Sequence, residues 1–138
     1  MTVAASAPGK VVLSGEYAVL SGAPAVCMAV NRRAIARVSA SDDGECHVTT
    51  PGYSGDEPFA IIDAVYGNVR PACKVLLDTQ AFSTAGRKFG IGSSAALTVA
   101  LTAARSNSID VQTAALSAHR QLQGGTGSGI DIAAAVHG

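Results

Sequence analysis

Residues 88–96 read Lys-Phe-Gly-Ile-Gly-Ser-Ser-Ala-Ala, so a glycine-rich turn runs directly into an alanine-rich stretch. Glycine lets backbone N–H groups approach a ligand closely, because no Cβ stands in the way. Apolar residues recur at helical spacing from Leu97 to Ala104, which predicts a helix over 93–105. A helix that begins just behind such a turn adds unpaired N–H donors and a partial positive charge. The pattern is typical of a phosphate-binding loop.

A second glycine-rich turn lies near the end of the chain, where residues 124–131 read Gly-Gly-Thr-Gly-Ser-Gly-Ile-Asp. We expect a helix over 128–136 with Ser128 as its N-cap. Asp131 could be an ordinary first-turn acid favoured by the helix dipole. It could also serve as a base toward a bound hydroxyl group. The sequence around it leaves both roles open.

A lysine at the start of an apolar strand is the third candidate feature. Lys10 is followed by Val-Val-Leu, which predicts a strand over 11–13. The lysine could be an interface cation. It could also reach a transferred phosphate and stabilise an ionised Asp131.

The composition predicts a globular domain that binds a small molecule. The chain has 138 residues, of which 48% are hydrophobic, and its formal net charge is zero. Since no basic run is longer than Arg32-Arg33, the sequence argues against a broad cationic face for nucleic acid. No segment approaches the roughly 20 apolar residues of a membrane span. Three widely spaced cysteines without a CxxC pair favour reduced thiols and a cytoplasmic location: Cys27, Cys46 and Cys73.

Predicted strands come mainly first and predicted helices mainly last, which favours a two-layer α+β arrangement. Besides residues 11–13, strands are expected at Ala25–Val30, Arg33–Ala40 and Cys73–Leu77, and helices at Phe59–Tyr66, Ser93–Arg105 and Asp110–Gln123. The turn Asp-Asp-Gly at 42–44 predicts that Arg33–Ala40 forms a hairpin with Glu45–Thr50.

Dinucleotide binding is a further alternative, because residues 90–95 fit the pattern GxGxxG/A and Asp110 follows about 20 residues later. That fingerprint requires an apolar strand before the first glycine, whereas residues 84–88 read Thr-Ala-Gly-Arg-Lys. Asp110 follows a polar turn at 106–108 instead of ending a strand. The context therefore argues against a dinucleotide site.

Taken together, three segments in this order resemble the GHMP small-molecule kinases: residues 8–17, 90–96 and 128–131. Within that family, Gly-Glu-Tyr at 15–17 is more similar to phosphomevalonate kinases, since mevalonate kinases usually carry His where Tyr17 stands. Residues 123–125 and 133–138 also resemble the phosphomevalonate branch.

The resemblance implies a fold like ribosomal protein S5 domain 2, with a mixed sheet backed by helices, and it implies ATP as phosphoryl donor with Mg²⁺ as cofactor. Asp131 would orient or deprotonate the acceptor hydroxyl, and Lys10 would neutralise charge in the transition state. Ser94 would face the metal. Phosphate binding is implied for Gly90, Ile91, Gly92, Ser93, Ser94 and Ala95. Acceptor binding is implied for Lys10, Glu16, Tyr17, Ser128 and Gly129.

The chain departs from the family in two respects. Mevalonate kinases carry a metal-binding glutamate upstream of the last motif, whereas residues 117–121 here read Ser-Ala-His-Arg-Gln. The family also continues into a second half beyond the position of Gly138. We therefore expect residues 1–138 to form the N-terminal ATP-binding domain, with the C-terminal domain absent. Alone it would be a poor kinase, and an uncovered apolar surface would favour self-association.

The sequence as a whole predicts ATP-dependent phosphoryl transfer to phosphomevalonate or mevalonate. Another acceptor, such as homoserine or a sugar, is one alternative. A non-catalytic nucleotide-binding remnant or scaffold domain is the other.

Overall fold

The computed structural model describes residues 1–105 and 110–138. Its strands are β1 (Thr2–Ser14), β2 (Val26–Ala40), β3 (His47–Thr49), β4 (Cys73–Asp78), β5 (Ser83–Thr84) and β6 (Arg87–Lys88). Its helices are α1 (Glu57–Tyr66), α2 (Ser93–Arg105), α3 (Val111–Leu122) and α4 (Ile130–His137), with 3-10 turns at Ala18–Ser21 and Gln80–Phe82. The polar turn expected at 106–108 lies outside the described residues.

The main sheet has the strand order β1-β2-β4-β3. β1 with β2 and β2 with β4 are antiparallel pairs, whereas β3 runs parallel to β4. This mixed sheet with helices confirms the predicted α+β fold. The short strands β5 and β6 form a separate hairpin that leads into the glycine-rich turn before α2.

The predicted hairpin between Arg33–Ala40 and Glu45–Thr50 is wrong, because β4 lies between β2 and β3. β4 has the stronger inward face, since Cys73, Val75 and Leu77 are all buried. The three residues of β3 include only one half-buried apolar side chain, Val48. Because β4 buries more apolar side chains than β3, β4 lies inside the sheet and β3 lies at its edge.

Helix α2 packs on β1 and β2, and α1 and α3 flank it. Alanines line the contact from both sides, which lets the helix approach the sheet closely: Ala34, Ala36, Ala95, Ala96 and Ala100, all at most 1% exposed. Helix α4 packs on β1 and α2. This packing sets the N-terminal ends of α2 and α4 near the middle of β1.

Local signals predicted the helices well. Helix α2 has the predicted bounds, and the Asp110 side chain caps α3 by accepting a hydrogen bond from the Thr113 N–H. Helix α4 begins at Ile130 with Gly129 as N-cap, at φ +78°, and not with Ser128 as predicted, although the Ser128 hydroxyl accepts a hydrogen bond from the Ile130 N–H at 3.4 Å. Across residues 1–105 and 110–138, every helix is too short or too polar to cross a bilayer.

Candidate active site

The glycine-rich turn before α2 is held against strand β1 at Lys10. The Lys10 N–H donates to the Ile91 carbonyl at 2.8 Å, at a point where the pairing of β1 with β2 shifts between Pro8 and Gly9. A Cβ at Gly9 would collide with the Ile91 carbonyl and would lie 2.7 Å from Phe82 Cε1. Only glycine at this position lets the turn approach the strand so closely.

The turn itself has a conformation that requires glycine. Gly90 and Gly92 have φ values of +71° and +77°, which L side chains rarely adopt. The Gly92 carbonyl accepts the first bond of α2, from the Ala96 N–H at 3.1 Å. Because the first N–H groups of a helix have no partner within it, the start of α2 offers donors to an anion.

Lys10 and Asp131 meet beside this turn, with Lys10 Nζ 3.3 Å from Asp131 Oδ1. Their side chains are 18% and 31% exposed, so the pair is partly shielded from water and open on one side. Asp131 lies in the first turn of α4, whose entry is fixed by Gly129. A Cβ at Gly129 would lie 2.6 Å from Leu116 Cδ1, so the second glycine-rich turn packs tightly on α3.

A cavity of about 400 Å³ opens between the start of α2 and the helices around it. It is lined by Glu57, Ala60, Gly92, Ser94, Ala95, His119, Leu122, Gln123 and Asp131. The fold thus brings four of the predicted residues to the wall of one cavity: Gly92, Ser94, Ala95 and Asp131. Lys10 joins them through its ion pair with Asp131.

Three polar residues that line this cavity were missed by sequence reasoning: Glu57, His119 and Gln123. Glu57 begins α1, and its carboxylate makes a 3.5 Å ion pair with the exposed ammonium group of Lys88. His119 and Gln123 are four residues apart at the end of α3, so they share one helix face. The four-residue spacing was the sequence signal available for this pair, although only the fold shows that their helix face borders the cavity.

Burial lowers the pKa of His119, which is 5% exposed. The nearby carboxylates of Asp131 and Glu57 oppose this shift without reversing it. The imidazole is therefore neutral at neutral pH. Burial also raises the pKa of the Cys27 thiol. The nearby charge of Lys10 lowers this pKa and that of Asp131 raises it.

The residues predicted to bind the acceptor are only partly brought together. Ser128 and Gly129 line a cavity of about 810 Å³ that is otherwise mostly apolar, with side chains such as Leu13, Met28 and Ile130. They also line a smaller cavity of about 170 Å³ that includes Asp131. Glu16 and Tyr17 follow β1 and line none of these cavities, and Tyr17 is 80% exposed.

The donor set on the 400 Å³ cavity fits a magnesium ion. Mg²⁺ prefers hard oxygen ligands and usually shares them with the phosphates of a substrate. The Ser94 hydroxyl and the carboxylates of Glu57 and Asp131 are donors of this kind on one wall. Helix α3 lacks the metal-binding glutamate that the family resemblance implies, but Glu57 of α1 provides a carboxylate to the same cavity.

Comparisons with known proteins give the class of the chain. The chain is 32% identical to a phosphomevalonate kinase of Saccharolobus solfataricus over 96% of its length, which is 46% of that protein. It is 36% identical to a mevalonate kinase of Methanothermobacter thermautotrophicus over 75% of its length, or 36% of that protein. The structure of L. major mevalonate kinase in complex with R-mevalonate matches 98% of the chain with a TM-score of 0.75 and 26% identity, covering 46% of that chain. No protein-family model matches.

The fold and its relatives define the class as small-molecule kinases, which are enzymes. The chain belongs to the GHMP kinase family. It spans less than half the length of the two curated relatives.

Proposed function

We propose that this chain carries the ATP-binding and catalytic part of a GHMP-type kinase. The reaction is transfer of the γ-phosphoryl group of ATP to a hydroxyl or phosphate oxygen of a small isoprenoid precursor, phosphomevalonate or mevalonate. The observation that carries the proposal is the Lys10–Asp131 pair, 3.3 Å apart, beside a cavity that Gly92 and Ser94 also line. The names of the relatives support this substrate class.

The phosphates of ATP bind at the turn before α2 and at the start of that helix. Gly90 to Ala95 provide backbone N–H donors there, and the positive end of the helix dipole favours the negative charge. Gly90 has no heavy atom within 4 Å of the place where a Cβ would stand, so this side of the turn is open.

Asp131 acts on the acceptor, which it orients and from which it accepts a proton. Lys10 neutralises negative charge that develops during transfer, because its ammonium group already lies against the reacting end of the site. Phosphoryl transfer needs mainly positioning and electrostatic stabilisation, and these two side chains and the turn supply the protein's part of both. Glu16, Tyr17, Ser128 and Gly129 stay our candidates for acceptor contacts.

Mg²⁺ is the proposed cofactor, and Ser94 is its predicted ligand. Glu57 faces the same cavity and would add a carboxylate. A carboxylate beside bound phosphates would repel them unless a cation lay between the two groups. When bound, the ion would neutralise charge on the phosphates.

Residues 1–138 form the ATP-binding domain in this proposal, and a second half completes the acceptor site. Apolar side chains at the paired ends of β1 and β2 are exposed, among them Leu13, Val26 and Met28. They form the surface that a second half, or a second copy of the chain, would cover.

Calorimetric titration with Mg-ATP and with NAD tests the nucleotide. We expect Mg-ATP to bind and NAD not to bind, and a folded chain that does not bind Mg-ATP would overturn the proposal.

A coupled assay of ADP release with phosphomevalonate, mevalonate, homoserine and galactose then tests the acceptor. Light scattering of the same samples measures the oligomeric state. Faster turnover with either isoprenoid acceptor is expected. Robust turnover by a monomer would contradict the expected need for a second half.

A further inference from the structure

His119 is a buried polar side chain at the wall of two adjoining cavities. Both the 400 Å³ cavity and the 170 Å³ cavity beside Asp131 are lined by it. The residue is 5% exposed and lies in the last turn of α3. Its ring therefore faces enclosed space next to the reacting end of the candidate site.

Among residues 1–105 and 110–138, no side chain or backbone group is hydrogen-bonded to either ring nitrogen of His119. The other two histidines in these ranges are paired, His47 with Asp43 at 2.6 Å and His137 with Gln112 at 2.9 Å. The His119 ring nitrogens are not among the side-chain polar atoms that lack both a partner and access to solvent, so the ring is open to the cavities that it lines and can donate to a bound ligand.

The surroundings limit what that partner is. The larger cavity is also lined by Gly92, Ser94 and Ala95, at the N-terminal end of α2 where N–H donors attract an anion. A neutral imidazole has one N–H donor, which suits a phosphate oxygen. Mg²⁺ prefers oxygen ligands to imidazole nitrogen, so a direct bond from the ring to the metal is less favourable.

The end of α3 that carries His119 packs against the turn that leads to Asp131. Gln123, one turn later on α3, lies so close to Gly127 that a Cβ there would collide with its Oε1 atom. This contact joins the end of α3 to the turn that leads to Asp131. His119 and Asp131 are thus kept on neighbouring parts of the same wall.

We propose that His119 is a nucleotide-binding residue whose ring N–H donates a hydrogen bond to the terminal phosphate of ATP. The proposal rests on the proposed function, since it assigns a partner for the γ-phosphate within that site. It makes α3 the second recognition element for the phosphates, opposite the glycine-rich turn. Recognition of the terminal phosphate would favour ATP over ADP.

The test compares two nucleotides in two variants. His119→Phe keeps a planar ring and removes the donor, and His119→Gln keeps an N–H donor. By calorimetry with Mg²⁺ present, His119→Phe should bind the non-hydrolysable analogue AMPPNP about tenfold to a hundredfold more weakly, while ADP binding changes less than about twofold. His119→Gln should recover part of the loss. His137→Phe is the matched control and should change neither affinity.

The outcomes separate the two proposals. An equal loss for AMPPNP and ADP in a folded His119→Phe protein would overturn the assignment, because it would show a structural role. If the wild-type chain bound neither nucleotide, the proposed function itself would fail. Should His119→Phe not fold, the ¹⁵N resonances of the wild-type His119 ring decide: a shift on adding AMPPNP and none on adding ADP supports the hydrogen bond, and the absence of that difference overturns it.

Discussion

Lys10 Nζ and Asp131 Oδ1 lie 3.3 Å apart, which links the first strand of the sheet to the first turn of the last helix. The contact depends on two close approaches that glycines permit. Gly9 lets the turn at Ile91 approach β1, and Gly129 lets the turn before α4 approach Leu116. The two charged groups therefore have a defined separation only in the folded chain.

Asp131→Asn should lower phosphoryl transfer by orders of magnitude in any active form of the protein. The amide keeps the shape of the side chain and loses both its charge and its ability to accept a proton. Nucleotide affinity should change little, since the phosphates bind at the turn before α2. Single-turnover kinetics and a Mg-ATP titration separate the two effects. Turnover within a few-fold of wild type would show that Asp131 is not the catalytic group.

Lys10→Met should also lower the rate, because it removes the positive charge beside the reacting groups and keeps an apolar stem of similar length. The matched control is Lys74→Met, since Lys74 makes a 3.3 Å ion pair with Asp42 at an exposed place. Exposed pairs contribute little to stability, so the control should have the wild-type rate. An equal rate loss in both variants would remove Lys10 from the proposed mechanism.

Gly92→Val should clearly weaken Mg-ATP binding. A Cβ at this position would lie 3.3 Å from Lys10 Cε, and the residue has a φ of +77°. The branched side chain would also occupy the wall of the 400 Å³ cavity. Gly44→Val is the control for backbone strain, since Gly44 has a φ of +79° and open space around it. If the folded Gly92→Val protein bound Mg-ATP with unchanged affinity in calorimetry, this turn would not be part of the nucleotide site.

Gly9→Ala should destabilise the fold by about 1–3 kcal/mol, the usual cost of overpacking. The added methyl group would meet the Ile91 carbonyl and the Phe82 ring, and neither can move without displacing the turn or the core. Urea unfolding of the variant measures the loss. Gly22→Ala is the comparison for backbone strain without a clash, because open space surrounds that position while its φ is +84°. Stability equal to wild type in Gly9→Ala would mean that the turn does not need this close approach.

The free energy of unfolding should decrease as the pH falls below about 6.5, the ordinary pKa of histidine. Burial lowers the pKa of His119 in the folded state, so the unfolded state binds more protons in this range and is favoured by acid. His119→Gln should make the free energy of unfolding less dependent on pH between pH 7.5 and pH 5.5. His47→Gln, at the surface, should leave the pH dependence caused by His119 unchanged. Urea unfolding at several pH values measures this. A steep profile that persists in His119→Gln would assign the effect to other groups.

The sequence predicted the features whose causes are local. Helix α2 has the predicted bounds because its apolar spacing and its glycine start act within a few residues. The turn at Gly90 and Gly92 was predictable for the same reason, since positive φ values select glycine locally. Three short motifs in order were also enough to predict the family.

Tertiary structure alone decided the relationships between distant segments. The strand partner of β3 depends on which inward face is buried best, so the local turn signal at 42–44 predicted the wrong pair. Gly129 takes the N-cap position predicted for Ser128, at a place where the turn packs so closely on Leu116 that a Cβ would collide. The sequence named Lys10, Ser94 and Asp131, but it could not show that α1 and α3 place Glu57 and His119 on the same cavity. Those placements follow from the packing of helices on the sheet, which no short window of sequence contains.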